Sequence, residues 1–500
     1  MRLPADSDMK ILPPSVLALL LFCSGLPQTM AAEKPNIIII NIDDLGYADI
    51  GPFGSENETP NLDRMAKEGR KLNSHYAAPV CSPSRAALMT GCYPKRVLSI
   101  PHVLFPVSSV GLNPKEITIA DLLKGQGYAT ACIGKWHLGD QPEFLPTRQG
   151  FDYYYGIPYS NDMGTIEDGA KNNADAPPPK PKPQKAKNNA ITQDETGIRG
   201  PQQPPLALLK NETVIARVKA EEQFSLTQNY TTEAKKFIAD NKDKSFFLYL
   251  PHSAVHFPLY PSREYMGKSS MGLLADWVRE VDWSVGQILD QLRELNLTEK
   301  TLVVFTSDNG GSFRHGSVNA PLRGNKTETW EGGIRVCTIA WWPGKIPADT
   351  ETDAITSMMD LLPTCAHLAG ATLPLDHKID GQNQWPVLSG NPATPPRDHF
   401  FYYRGHRMEA VRSGPWKLHL DKKKLFNLEN DIGEKSDQYA AHPDIVSKLE
   451  KLALTMEDDL GLDGVGPGCR PLGRVSNPQP IISMDGAVRE DLVGEQKMFP

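Results

Sequence analysis

The sequence predicts an α/β protein: a large mixed, mostly parallel sheet sandwiched by helices, followed by a smaller C-terminal α+β subdomain with an antiparallel sheet. Three observations carry this. Short apolar runs without polar alternation recur in the first part of the chain, as expected of strands buried on both faces. Helical patterns stand between them. After about Pro395 the character changes to antiparallel strands and one amphipathic helix. At 500 residues, the chain is too long for one small core.

The chain begins with the form of an export signal. Arg2 and Lys10 precede the apolar run SVLALLLFCSGL, and small residues near Ala31 and Ala32 suit cleavage. The run is short for a membrane span, and bulky Phe22 disfavours lipid modification at Cys23. Residues 1–32 read as a signal peptide and the protein as exported: periplasmic, secreted or lysosomal according to host. No other stretch is long and apolar enough to cross a bilayer.

PNIIIINIDD is a continuous strand stopping at Asp43 and Asp44, and TPNLDRMAKEGRKL reads as a helix. In CSPSRAALMTG, Pro83 suits a helix's first turn, which puts Cys81 at or just before a helix N-terminus. That position favours developing negative charge. TIADLLKGQGY is helical, and YATACIGKWHLGD is a strand running into Lys135 and His137. The Pro/Lys-rich DAPPPKPKPQKAKNNA begins a solvated surface insertion, residues 175–205. SFFLYLPHSAVHFP runs into His252 and His256, LADWVREVDWSVGQILDQLREL is a long helix, and TLVVFTSDNGG runs into Asp308 and Asn309. These fall in one large domain, residues 33–394. FFYYRGHRMEAVRSGPWKLHL and KKLFNLEN then read as antiparallel strands, and HPDIVSKLEKLALTMEDDL as a helix, forming a subdomain over 395–475. Residues 476–500 lack periodicity and are expected to form a loosely packed tail.

A net charge of −7 argues against nucleic acid or an anionic membrane as the main partner. Apart from Cys23, the cysteines (Cys81, Cys92, Cys132, Cys337, Cys365, Cys469) show no metal spacing; one or two disulfides are compatible with them, without any pairing being indicated. Sequons stand at Asn57, Asn211, Asn229, Asn296 and Asn325.

In open α/β sheets, ligands bind beyond the carboxyl ends of the strands. Four strands here deliver acidic, amide, lysine and histidine groups to that end. Asp43, Asp44, Asp308 and Asn309 form an oxygen-only set, which persists only if a cation or basic residues neutralise it. Hard oxygen ligands favour Ca²⁺ or Mg²⁺ over zinc. Taken singly, DD is an ordinary helix cap and SDNG an ordinary turn; their coincidence in one sheet favours the metal reading. Cys81 alone reads as a small buried residue, since a reactive thiolate would want a neighbouring base that its flanks do not supply.

CSPSRAALMTG has the pattern C-x-P-S-R-x-x-x-x-T-G and resembles the signature of the type I sulfatases, in the alkaline-phosphatase-like superfamily. NIIIINIDDLGYADIG, GKWHLG, GFDYYYGIPYSND, HFP, TSDNGG, PLRGNKTETWEGGIRV and DLLPT follow in family order. GIPYSND and the Lys326 segment look closest to the arylsulfatase A and N-acetylgalactosamine-6-sulfatase branch.

The resemblance implies an arylsulfatase-type sulfuric ester hydrolase. A maturation enzyme would convert Cys81 to formylglycine (3-oxoalanine). One hydroxyl of its hydrate, activated by a metal, would attack sulfur; the alcohol would leave, and the second hydroxyl would expel sulfate. Asp43, Asp44, Asp308, Asn309 and the side chain at position 81 would hold one Ca²⁺. Arg85 would stabilise the hydrate, and Lys135 and Lys326 would grip sulfate oxygens. His137 would deprotonate the hydrate, and His256 with Lys326 would protonate the leaving oxygen; His256 and Lys326, with Lys135, also bind substrate. His252 reads instead as a structural or substrate contact. Arg96 and Arg335 read as structural ion-pair formers, and His102, His315 and His406 as pocket-facing at most. Cys337 stands where the family commonly has proline. The partners implied are a sulfated small molecule or carbohydrate and the maturation enzyme. The alternative is a phosphate or phosphonate ester hydrolase using the same formylglycine site; a non-catalytic sulfate-polymer-binding protein would have lost a ligand or the nucleophile, and neither is lost.

Overall fold

The computed structural model describes residues 34–178, 192–391, 397–494 and 498. The signal-peptide reading and residues 179–190 of the Pro/Lys-rich stretch lie outside the described residues.

A ten-stranded mixed sheet forms the frame. Its five central strands, Tyr153–Gly156, Ala129–Ile133, Phe246–Pro251, Asn36–Ile42 and Thr301–Ser307, are neighbours in that order and mutually parallel. Antiparallel strands flank them on both sides, Ala207–Lys210 and Thr213–Arg217 at one edge and Ile339–Trp341 toward the other. Both faces are buried, which is why these strands show no polar alternation. Ile37 and Ile39 point into one apolar core, while Ile38, Ile40 and Ile42 point into another.

Helices Pro60–Glu68, Leu226–Asp240 and Leu273–Glu294 cover the second face, through Leu62, Met65, Tyr230, Trp277 and Val281. Helices Cys81–Thr90, Ile119–Gly125 and Leu361–Ala369 cover the first, through Leu88, Leu123 and Leu362. The segment read as one helix over TPNLDRMAKEGRKL divides: the helix stops at Glu68, and Arg70–Leu72 joins the sheet beside Ile339–Trp341. Gly69 permits the change, because a Cβ there would lie 2.4 Å from the Ala340 carbonyl oxygen.

A separate four-stranded antiparallel sheet, His399–Arg404, Arg407–Ser413, Trp416–His419 and Lys424–Asn427, packs on the Pro443–Leu454 helix. Arg96 ties the two parts together through Asp380 and Asp459, at 2.7 and 2.8 Å. The six cysteines among the described residues are free. The Asn57 side chain is buried and donates to the Ala275 carbonyl, so this sequon is closed in the folded chain.

Residues 476–494 are not the loose tail that their lack of periodicity suggests. Ile481, Ile482 and Leu492 are fully buried in the core under the large sheet. Gln479 N–H and Arg489 Nη1 both donate to Gln141 Oε1, at 3.0 and 2.7 Å. Irregular chain carries no 2.0 or 3.6 period, yet a pair of adjacent isoleucines suffices to anchor it. Replacing Ile482→Ala should therefore lower unfolding free energy by about 2–5 kcal/mol, read from the denaturant midpoint at unchanged m-value.

Candidate active site

Strand register brings the acidic residues together. Ile42 pairs with Ser307, so the next residues, Asp43 and Asp308, emerge side by side where the sheet ends. Asp308 N–H donates to Ile42 O at 2.9 Å and Asp44 N–H to Asp308 Oδ1 at 3.3 Å. The neighbouring strand leads into His252 and His256, and the one beyond it into Lys135 and His137, with Lys135 N–H bonded to Pro251 O at 2.7 Å.

Cys81 is the first residue of its helix and is 1% exposed. Its Sγ lies 3.3 Å from Asp43 Oδ1 and 4.0 Å from Asp44 Oδ1. One ligand atom each from Asp43, Asp44, Cys81 and Asp308 falls within 4.8 Å of the others. Three segments distant in sequence thus converge on one point.

Cations balance the cluster. Arg85, one turn along the helix, places Nη2 2.9 Å from Asp308 Oδ2 and donates through Nη1 to Lys135 O at 2.6 Å. Lys135 Nζ donates to Asp43 Oδ2 and, at 2.5 Å, to Ser160 Oγ. Lys326 Nζ lies 2.7 Å from Asp44, and His256 Nε2 3.7 Å from Asp44 Oδ2. Burial alone would raise the Asp43 pKa, but Lys135, His256, Arg85 and Lys326 outweigh it and hold that carboxyl well below the usual range. Asp44 is lowered in the same way, burial being overcome chiefly by Lys326 and His256. Burial and the adjacent Asp43 charge push Asp308 up to about 7 against the pull of Arg85. The ionised charge therefore settles on the carboxylates nearest the lysines. Burial, with Asp308 and Asp43, drives the Cys81 thiol well above its ordinary pKa. A thiol so placed does not ionise, and the thiol is not the nucleophilic form of cysteine.

Two orphaned buried atoms mark where further groups fit. Asn309 donates through Nδ2 to Asp44 Oδ1 at 2.8 Å, while its Oδ1 has no partner. His137 is fixed by a 2.9 Å contact from Nε2 to Leu104 O, and its Nδ1 has none. An unpaired amide oxygen beside three buried carboxylates matches the donor set of a hard divalent cation.

The sulfatase family model matches residues 35–371, a span containing every one of these groups. The chain belongs to the sulfatase family. It is 38% identical to the steryl-sulfatase of Homo sapiens over 79% of this chain and 77% of that one. It is likewise 38% identical to the N-acetylgalactosamine-6-sulfatase of Canis lupus familiaris, over 81% of this chain and 75% of that one. Among solved structures, Ps i-CgsB in complex with k-i-k-neocarrahexaose superposes with a TM-score of 0.71 at 34% identity, covering 85% of this chain and 92% of the other. The PsFucS1 sulfatase from Pseudoalteromonas sp. gives 0.73 at 28%, covering 88% and 92%. The protein is a sulfuric ester hydrolase, releasing an alcohol and inorganic sulfate from a sulfate ester.

Within this sulfatase, the other singled-out residues fall into place. His252 lies away from the carboxylates, fully buried, 3.2 Å from Ser284 Oγ. Arg335 is buried and donates to Asn73 O at 2.5 Å. His315 stacks on Phe257, next to His256, with ring centroids 4.7 Å apart. His102 is exposed. Sequence reading missed Ser160 as a partner of Lys135, although it lies in the quoted GIPYSND. It also missed Asn319, whose side chain pairs with both the N–H and the carbonyl of Gly311 at 2.9 Å and so holds the turn after Asp308. Nothing local distinguishes such residues, because their partners become neighbours only on folding.

Burial lowers the His252 pKa to about 3. The unfolded chain, with an ordinary histidine near 6.5, binds this proton between about pH 6.5 and 3 while the folded chain does not. Stability from this group is thus present above that window and lost as pH falls. His252→Gln should flatten the decline in denaturant midpoint between pH 7 and pH 5 relative to the parent.

Proposed function

We propose that this sulfatase acts through a formylglycine formed from Cys81, with one Ca²⁺ held by Asp43, Asp44, Asp308 and Asn309, on a sulfated sugar or an aryl sulfate. The observation that carries the reading is the convergence of the Cys81 side chain with three buried carboxylates at the ends of two neighbouring strands. Pro83 and Arg85 follow Cys81 in the pattern a maturation enzyme reads, and the protein is proposed to meet that enzyme during export. Among the relatives named above, the N-acetylgalactosamine-6-sulfatase and the neocarrahexaose-bound Ps i-CgsB support a sulfated sugar.

Bound together, the hydrated aldehyde and calcium would supply an oxygen nucleophile at neutral pH and a positive charge against which sulfate oxygens rest. The chain's own groups do the rest. Lys135 and Lys326, already paired to Asp43 and Asp44, present ammonium groups where negative charge grows on the sulfate oxygens. Arg85 balances Asp308 and Asp43, so the carboxylates stay gathered without repelling an incoming anion. His256, 3.7 Å from Asp44 Oδ2 and 11% exposed in its side chain, would give a proton to the departing alcohol. His137 gives its Nε2–H to Leu104 O, which leaves Nδ1 as the lone-pair nitrogen that would take the proton, while burial, Lys135 and Arg85 favour the neutral ring and so its return to that form.

Mass spectrometry of the native enzyme should show the Cys81 peptide lighter by the difference between thiol and aldehyde. Cys81→Ala should cut turnover of nitrophenyl sulfate by roughly 10⁴-fold or more. Full activity with an unmodified cysteine would sink the aldehyde reading. Nitrophenyl phosphate should be the poorer substrate, and the reverse order would favour the phosphoester alternative. Asn309→Ala should weaken calcium affinity at least about tenfold, since one ligand is lost, read by calorimetric titration independently of turnover.

A further inference from the structure

Lys326 sits on a strap, residues 323–330, that has no regular secondary structure of its own. Thr327 within it has a φ of +78°, so its shape is imposed from outside. On the sheet side, Lys326 N–H donates to Gly311 O at 3.1 Å and Thr327 N–H to Pro79 O at 2.9 Å, two residues before Cys81. The other side is gripped by the small antiparallel sheet and the turn that follows it.

Lys417, on the Trp416–His419 strand, is fully buried. Its Nζ donates to Thr329 O and to Glu331 Oε1, both at 2.8 Å, and lies 3.0 Å from Glu434 Oε1. One ammonium thus meets three acceptors. Glu434 Oε2 in turn accepts from Glu331 N–H at 2.8 Å, and Glu409 Oε2 from Thr329 Oγ1 at 2.7 Å. A buried lysine between two buried carboxylates is a poor stability device, because apolar residues of similar volume often do as well or better. What such a network does supply is a fixed position for the backbone it holds, here the strap immediately after Lys326.

We propose that Lys417 is a positioning residue for the sulfatase reaction: its ammonium fixes Thr329 and Glu331, and through them the place of Lys326 against Asp44 and the reacting centre. The proposal rests on the reading of Lys326 as an active-site group.

The test is a double-mutant cycle of Lys417→Met and Lys326→Met, with kcat/KM on nitrophenyl sulfate and the thermal midpoint measured for each variant. In the parent, Lys417→Met should lower kcat/KM by up to about 100-fold, the scale of a misplaced group. In the Lys326→Met background the same change should cost no more than about twofold. An equal loss in both backgrounds overturns the proposal, since a merely structural role lowers activity whether or not Lys326 is present. An undiminished kcat/KM in Lys417→Met alone also overturns it. Parent-like turnover in Lys326→Met would instead remove the reading of Lys326 itself. Should Lys417→Met fail to fold, Lys417→Gln is carried through the same cycle with the same criteria. It removes the ammonium that meets Thr329 O, Glu331 and Glu434 while keeping a polar side chain beside the two carboxylates.

Discussion

Three carboxylates, Asp43, Asp44 and Asp308, stand at the ends of two adjacent parallel strands, and their mutual repulsion sets the terms for everything around them. Two like charges 4 Å apart cost about 4 kcal/mol even at the effective dielectric of a protein surface. These groups are 0–3% exposed, so water relieves little of that cost. The sheet holds them there by register, Ile42 against Ser307, and the site tolerates them because Arg85, Lys135 and Lys326 each place a cation within 3 Å of a carboxylate. The same balance suits a divalent cation and an anionic sulfate, which need opposite charges close together in one dry pocket.

Cys81 is defined by this setting more than by its own chemistry. As a thiol it faces two carboxylates, is cut off from solvent and has its ionisation suppressed. A residue so placed is a poor thiolate, which agrees with the proposal that it is the precursor of an oxygen nucleophile. The helix that begins at Cys81 also carries Arg85, so the Cys81 side chain and the counter-charge to Asp308 are held on one rigid unit. The small C-terminal sheet completes the enclosure, since it is the part of the molecule that grips the strap bearing Lys326.

Much of the frame was legible because buried strands and amphipathic helices write their periodicity locally. The four central runs ending in Asp43, His137, His256 and Asp308 are the clearest case, and they lie where the unbroken apolar runs put them. Legibility failed where packing overrode pattern. Arg70–Leu72 left a helical run to join the sheet between Ile339–Trp341 and Thr350–Thr352, because Gly69 admits a close approach to Ala340. Ile481 and Ile482 entered the core from irregular chain, which carries no period to read.

The sequence by itself determined the chemistry on offer: an oxygen-only donor set, a cysteine at a helix start with Pro83 and Arg85 behind it, and lysines and histidines at strand ends. Those are properties of residue type and short spacing, and they survive without a fold. Only the tertiary structure decided which of them meet. It set His252 against Ser284 and His256 against Asp44, although the two histidines are four residues apart. It brought Ser160 to Lys135 and Lys417 to Glu331 across 25 and 86 residues. The reason is that a hydrogen bond or ion pair acts over about 3 Å, and that distance is fixed by strand order, register and packing rather than by position along the chain.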